Sequence, residues 1–218
     1  DPARTTSASQ TSSAPQTAFE PQTASAPQAT SAPQATSAPA DGAPAPAVPY
    51  PKAYWVLPGR FLAGEYPGAK DGAEARAKLR AFLAAGVDLF IDLTAADEPL
   101  EPYAPLLAEE AAALGRRAEH RRMEIPDYAV PTPAFLADIV DAIDTALAEG
   151  RTVYVHCLGG IGRTGTVVGA YLVRHGLRGD QALERVQALL DTTPKAGRSS
   201  PETAAQTGMV RSWVEQDR

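Results

Sequence analysis

From residue 50 onward the chain alternates between two hydrophobic spacings. Short runs of continuous or alternating apolar residues predict strands, and stretches with apolar residues three and four apart predict helices. Tyr54-Trp55-Val56-Leu57 and Arg60-Phe61-Leu62-Ala63-Gly64 read as a short hairpin, after which Glu65-Tyr66-Pro67-Gly68 turns the chain. Residues 71–85 predict a helix with Leu79, Phe82 and Leu83 facing inward and Gly86 ending it. Residues 87–93 are the most strand-like run of the sequence, and a loop over 94–99 follows. A helix over 101–114 carries Tyr103, Leu106, Leu107 and Leu114 on one side and stops at Gly115. Residues 118–125 predict a strand that reaches Pro126-Asp127-Tyr128. Residues 133–148 are strongly amphipathic: Phe135, Leu136, Ile139, Val140, Ile143 and Leu147 share one face, with Asp138, Asp141 and Asp144 largely on the other. Thr152-Val153-Tyr154-Val155 reads as a buried strand. A helix over 164–175 follows, built on Val167, Val168, Tyr171 and Leu172 and ended by Gly176. Helices over 180–190 and 200–215 complete the chain, the second with Ser200 as its cap and Pro201 in its first turn.

Strands alternating with helices predict a single α/β domain over 50–218, with a central, mostly parallel sheet flanked by helices. Residues 1–49 are of another kind. They are almost entirely Ala, Pro, Ser, Thr and Gln, with the near-repeat Ser25-Ala26-Pro27-Gln28, Ser31-Ala32-Pro33-Gln34. Phe19 and Val48 are nearly their only large apolar groups, so this segment predicts a disordered, extended linker or tail. The net charge of −6 argues against nonspecific nucleic-acid binding. No apolar run is long enough to span a membrane, and no signal-peptide core is present. Cys157 is the only cysteine, so no internal disulfide forms. An exposed reactive thiol survives best in a reducing compartment, which favours the cytoplasm, although the Ser/Thr/Pro tail would equally suit an exported linker.

The chemistry concentrates in His156-Cys157-Leu158-Gly159-Gly160-Ile161-Gly162-Arg163-Thr164, between a strand end and a helix start. Glycines let such a loop turn its backbone N–H groups inward. The helix adds unpaired N–H groups and the positive end of its dipole, which makes a site for a dianion such as phosphate. Arg163 offers a guanidinium to two phosphate oxygens. The same positive field favours the thiolate of Cys157, the nucleophilic form. The few scattered histidines suggest no metal site, and no cofactor is called for. Arg116, Arg117, His120, Arg121 and Arg122 form a basic patch, either solvated or steering an anionic substrate.

A cysteine, five residues, an arginine and a threonine, with a histidine in front, resembles the signature loop of the cysteine-dependent protein tyrosine phosphatases. The apolar, glycine-rich version here is most similar to the compact dual-specificity branch and its bacterial relatives. The resemblance implies that Cys157 attacks phosphorus while Arg163 and the N–H groups of Leu158, Gly159, Gly160, Ile161 and Gly162 hold the phosphate. Asp127, about 30 residues before the cysteine in a loop between a strand and a helix, is then the general acid and later the base. Asp92 and Asp97 are its reserves. Thr164 donates its hydroxyl to the departing thiolate, and His156 hydrogen-bonds within the loop in support of the thiolate. Gln206, on a C-terminal helix, reads as plain packing or solvation, with a resemblance to the water-positioning glutamine of the larger tyrosine phosphatases as the alternative. The implied substrate is a phosphorylated protein or peptide, phosphotyrosine first, then phosphoserine and phosphothreonine. No counterpart to the aromatic phosphotyrosine-recognition loop is found, so a phosphoinositide or inositol-phosphate phosphatase, or a catalytically dead phospho-binding module, stays open. The loop contains no lysine and the chain is acidic, which opposes docking on anionic membranes. Oligomeric state is not legible.

Overall fold

The structure, a computed structural model, describes residues 46–214. The linker expected over 1–49 therefore lies outside the described residues, apart from its last four positions, as does the end of the last expected helix. Among the described residues five strands form one sheet, in the order β1-β2-β5-β3-β4. β1 (Ala53–Leu57) pairs antiparallel with β2 (Phe61–Gly64). The remaining pairings, of β2 with β5 (Val153–His156), β5 with β3 (Leu89–Asp92) and β3 with β4 (Glu119–Arg122), are parallel. The register aligns Gly64, His156, Asp92 and Arg122 in one row across the sheet. Four chain segments thus leave the sheet side by side at its C-terminal edge, where ligands of parallel sheets collect.

Side chains alternate strictly between two cores, as a pleated strand requires. Phe61, Ala63, Leu89, Ile91, Val153 and Val155 pack with α3 (Pro133–Ala148), α4 (Gly162–Arg174) and α5 (Gly179–Leu190). Leu62, Phe90 and Tyr154 pack on the other face with α1 (Gly72–Ala84) and α2 (Ala104–Ala113). Burial on both faces explains why these strands read as near-continuous apolar runs.

Element bounds differ from the sequence pattern in instructive ways. The run 87–93 is strand only over Leu89–Asp92, because the Val87 N–H bonds the Phe82 carbonyl and closes off α1. The segment 118–125 is strand only over Glu119–Arg122; Met123 and Ile125 still donate to Asp92 and Leu93 carbonyls, out of regular register. The last helix, α6, is Ala204–Arg211, four residues shorter at its start than expected. Ser200 does not cap it, because its hydroxyl donates to the Ile161 carbonyl at 2.8 Å. Thr203 is the cap, in a capping box with Gln206.

His120, Arg121 and Arg122 of the basic patch fall on β4, an edge strand. Arg121 pairs with Glu119, both Arg122 and His120 meet Asp92, and Arg116 bonds the Leu83 carbonyl. Charges on an edge strand discourage pairing with another chain, which gives most of this patch a structural role.

Gly64 ends β2 where the hairpin and the next crossover converge. A Cβ there would lie 2.6 Å from the Lys52 carbonyl oxygen and 2.8 Å from Ala53 Cα, backbone atoms that cannot swing aside. Gly64→Ala should therefore lower stability by about 1–3 kcal/mol in urea titration, the range for overpacked sites. Wild-type stability in that variant would mean that the β1–β2 hairpin splays without penalty.

Candidate active site

The sheet delivers His156 to the edge, and the chain then turns through residues 157–161 before α4 begins at Gly162. Each peptide unit is planar and trans, so a carbonyl pointing out of the turn aims the next N–H into it. The outward carbonyls have partners from distant segments. Leu158 O accepts from the Tyr66 N–H (3.1 Å), Gly159 O from Lys195 Nζ, and Ile161 O from Ser200 Oγ and the Gly165 N–H. Gly160 sits at φ +68°, and a Cβ there would run into the backbone of Gly64. Its N–H donates to Cys157 Sγ at 3.2 Å. The turn lines a cavity of about 190 Å³ together with Asp127, Tyr128, Arg198, Glu202 and Gln206.

Arg163 is 2% exposed, and a buried guanidinium needs compensating partners. Its Nη1 and Nη2 grip the two Glu98 oxygens, the second at 3.2 Å, and Nη1 also donates to the Ile125 carbonyl at 3.1 Å. Asp127 Oδ1 stands 2.9 Å from Nη2. Burial would raise the Glu98 carboxyl, but bonds from Arg163 and the Ala95 N–H outweigh it and hold the group below its ordinary range. Sequence reasoning reaches Asp97 and misses the adjacent Glu98, whose only signal is its place in the loop after the most strand-like run. Asp97 is exposed and outside the cavity.

Asp92, the other reserve acid, is buried with both oxygens engaged. Oδ1 accepts from the Thr94 N–H and hydroxyl (2.9 and 2.6 Å), while Oδ2 meets His120 and Arg122 (3.0 and 3.2 Å). Burial works against its charge, yet His120, His156 and Thr94 hold its carboxyl far below the usual range. Asp92 is an anchor of the sheet edge. Of the three carboxylates considered from the sequence, only Asp127 lines the cavity.

The Asp127 loop is held from two sides. Ala129 N–H bonds the Pro126 carbonyl at 3.0 Å, and the Ala129 carbonyl accepts from Gln206 Nε2 at 3.1 Å. Gln206 is buried, and its Oε1 accepts from the Glu202 and Thr203 N–H groups. Its amide is thus committed to backbone on both sides, and the residue fastens the acid loop to α6. Between Asp127 and Ala129 stands Tyr128 at φ 59°, the one non-glycine residue of positive φ among those described, with 62% of its surface exposed. Such strain gathers at functional sites.

His156 is buried, with Nε2 2.6 Å from Tyr103 OH and Nδ1 3.4 Å from the Cys157 carbonyl oxygen. Burial lowers its pKa to about 4, and the charge of Asp92 offsets this only in part. A neutral ring donates at Nδ1 to the loop and accepts at Nε2 from the tyrosine. Thr164 Oγ1 is buried without a hydrogen-bond partner. Among the described residues no group of three or more His, Cys, Asp or Glu side chains is placed to hold a metal ion.

A family model described as PTP-SAK, Swiss Army Knife protein, DSP-PTPase phosphatase domain, matches residues 51–209. Tyrosine-protein phosphatase CDC14 of Candida albicans is 30% identical over 69 residues, which are 31% of this chain and 13% of that protein. An uncharacterised protein of Methanocaldococcus jannaschii is 43% identical over 53 residues, 24% of this chain and 36% of that protein. The matched segments thus span well under half the length of these relatives. Among solved structures, Tk-PTP in its active form superposes with a TM-score of 0.57 at 26% identity, covering 74% of this chain and 95% of that one. PTPMT1, solved in complex with PI(5)P, shares the fold at a TM-score of 0.55 and 22% identity, covering 73% of this chain and 93% of that one.

The lowered pKa of His156 sets a pH dependence. Between its ordinary value of 6.5 and about 4 the unfolded chain binds a proton here that the folded chain does not. The stabilisation is complete above pH 6.5 and lost as pH falls to about 4, on the order of 3 kcal/mol in all. Urea titrations from pH 7.5 to 4.5 should show a flatter profile for His156→Gln than for the wild type. Equal slopes would place the proton uptake elsewhere.

Proposed function

The chain belongs to the DSP-PTPase phosphatase domain family, and from that premise we propose that it hydrolyses phosphotyrosine, and more slowly phosphoserine and phosphothreonine, through a cysteinyl-phosphate on Cys157. One observation carries the reading: Cys157, Arg163 and Asp127 face one small cavity floored by inward-turned N–H groups. A phosphoryl dianion placed on those N–H groups takes over the guanidinium edge that Asp127 now occupies. Glu98 keeps its grip and fixes the plane in which Arg163 meets the phosphate. The thiolate attacks phosphorus, the S–P bond forms and the ester O–P bond breaks, while Asp127, displaced from Arg163 and protonated from solvent, gives that proton to the leaving oxygen. Asp127 then accepts a proton from the attacking water. The S–P bond breaks, inorganic phosphate leaves, and the Thr164 hydroxyl supports the departing thiolate.

Tyr128 favours an aromatic substrate. Its ring stands exposed on the cavity wall beside the acid, able to pack on a phosphotyrosine ring but offering less to a short phosphoserine. A phosphoinositide needs several phosphates neutralised, and Arg198 at this cavity is already paired with Glu202 at 2.7 Å.

The test is kcat/KM across phosphotyrosine, phosphoserine and phosphothreonine peptides and soluble phosphoinositides, all in EDTA. Phosphotyrosine peptides should lead, and Cys157→Ser should abolish turnover. Asp127→Ala should slow it by about 10²–10⁴-fold, the usual span for general acid–base catalysis. Activity that demands an added divalent cation would overturn the mechanism, because Arg163 and the loop N–H groups are assigned the charge stabilisation. A phosphoinositide preferred tenfold over every peptide would overturn the substrate.

A further inference from the structure

We propose that Lys195 is a positioning residue for the Cys157 nucleophile, acting through the single peptide unit that joins Gly159 to Gly160. The inference rests on the reading of Cys157 as the reactive thiolate.

Lys195 lies in the connection from α5 to α6, with 16% of its side chain exposed. One Nζ donor goes to the Gly159 carbonyl, and another meets Glu65 Oε2 at 2.5 Å. Glu65 is a firm anchor. Its other oxygen pairs with Lys52 at 2.9 Å, its N–H bonds the Lys52 carbonyl at 3.2 Å, and its own carbonyl accepts from the Tyr154 hydroxyl. The ammonium is therefore fixed relative to the sheet, and through it the Gly159 oxygen is fixed too.

The next link is covalent geometry. Gly159 C=O and Gly160 N–H belong to one planar trans unit and point in opposite directions. With the oxygen drawn to Lys195, the N–H must face the other way, and Cys157 Sγ is what it meets, 3.2 Å from the nitrogen. A cation on the carbonyl also polarises the unit and makes its N–H a stronger donor. Lysine charge and sulfur are thus joined by two hydrogen bonds and one peptide.

This peptide needs such a clamp more than its neighbours do. It has a glycine on each side, so nothing local prevents the unit from turning over. The Leu158 and Ile161 carbonyls, each beside a side-chain-bearing residue, are held by neutral donors: the Tyr66 N–H and the Ser200 hydroxyl. Only at the Gly159 carbonyl is the outward partner, among those described, a full charge. If the unit flipped, the sulfur would lose its N–H, and a carbonyl oxygen would face the bound phosphate.

The experiment is the rate of Cys157 alkylation by iodoacetamide as a function of pH. Cys157 is the only cysteine of the chain, so the label reports one site. Relative to the wild type, Lys195→Met should react about tenfold more slowly near pH 6, with its profile displaced to higher pH. Lys195→Arg, which keeps a charged donor, should recover most of the rate. Lys70→Met, an equal charge change at an exposed position, should match the wild type. A wild-type profile in Lys195→Met overturns the proposal. Should the methionine variant not fold, a wild-type profile in Lys195→Gln, which keeps a donor without charge, does the same. Alkylation needs no phosphate ester. A chain that hydrolyses nothing in the panel yet shows the lysine effect would refute the proposed function and leave this inference standing.

Discussion

Every amide that points into the cavity requires a carbonyl that points out of it, and that constraint shapes much of the domain. A buried carbonyl without a partner costs about as much as a lost hydrogen bond, so a loop that turns its donors inward has to be met from outside by other donors. Two segments supply them. The chain leaving β2 brings the Tyr66 N–H, and the connection between α5 and α6 brings Lys195 and Ser200. The same connection continues into Thr203 and Gln206, which start α6 and fasten the Asp127 loop. The C-terminal helices therefore act as a collar around the turn over 157–161, set close because Gly162 and Gly165 of α4 leave no Cβ between the turn and Gln206 or Ser200.

A second constraint concerns charge. Arg163 is buried, and burying a guanidinium is tolerated only with partners of opposite sign or good acceptors. The parallel sheet makes this possible by bringing the loops after β3 and β4 to one edge. One contributes Glu98, the other the Ile125 carbonyl and Asp127. Asp92 plays the matching part within the sheet, gathering Arg122, His120 and Thr94 so that the row carrying His156 is satisfied. Two arginine-paired carboxylates, Asp92 buried and Glu98 partly buried, thus have different duties although they lie close in sequence. Asp92 is held by groups of the sheet edge itself, while Glu98 is held by Arg163, the residue proposed to meet the phosphate.

What was legible in the sequence is what is local. The apolar run Leu89-Phe90-Ile91 marked a strand buried on both faces, and the 3.6-residue spacing of Leu136, Ile139, Val140 and Ile143 marked α3, because each pattern is imposed by the element's own geometry. The nucleophile loop was legible for the same reason: strand end, glycines, arginine and helix start are contiguous. Glu98 and Lys195 were not. Two adjacent carboxylates, Asp97 and Glu98, look alike until a tertiary contact with Arg163 selects one. Lys195 reaches Gly159 across 36 residues, a separation no local pattern encodes. The start of α6 failed differently. Ser200-Pro201 imitates a helix start, but the true signal, Thr203 followed three residues later by Gln206, was also present. Position 200 was excluded by its bond to Ile161, not by its propensity.

The resting arrangement of Arg163 also bears on how binding and chemistry are connected. Its Nη2 is shared between Glu98 and Asp127, but the two carboxylates are not equivalent. Glu98 is largely buried, bidentate and tied by the Ala95 N–H, so it cannot leave without exposing a buried cation. Asp127 is half exposed and makes a single ion pair, so it is the partner that an incoming dianion can replace at low cost. In the proposed mechanism the exchange does more than make room. It would free Asp127 from the arginine at the moment when a leaving oxygen comes within reach, while Gln206 keeps the loop from drifting away. A carboxylate that was only solvated would be available in the empty site as well, and one buried like Glu98 would be available in neither state. The half-exposed position of Asp127, on a loop fastened at Ala129 but unburied at its tip, meets both requirements at once.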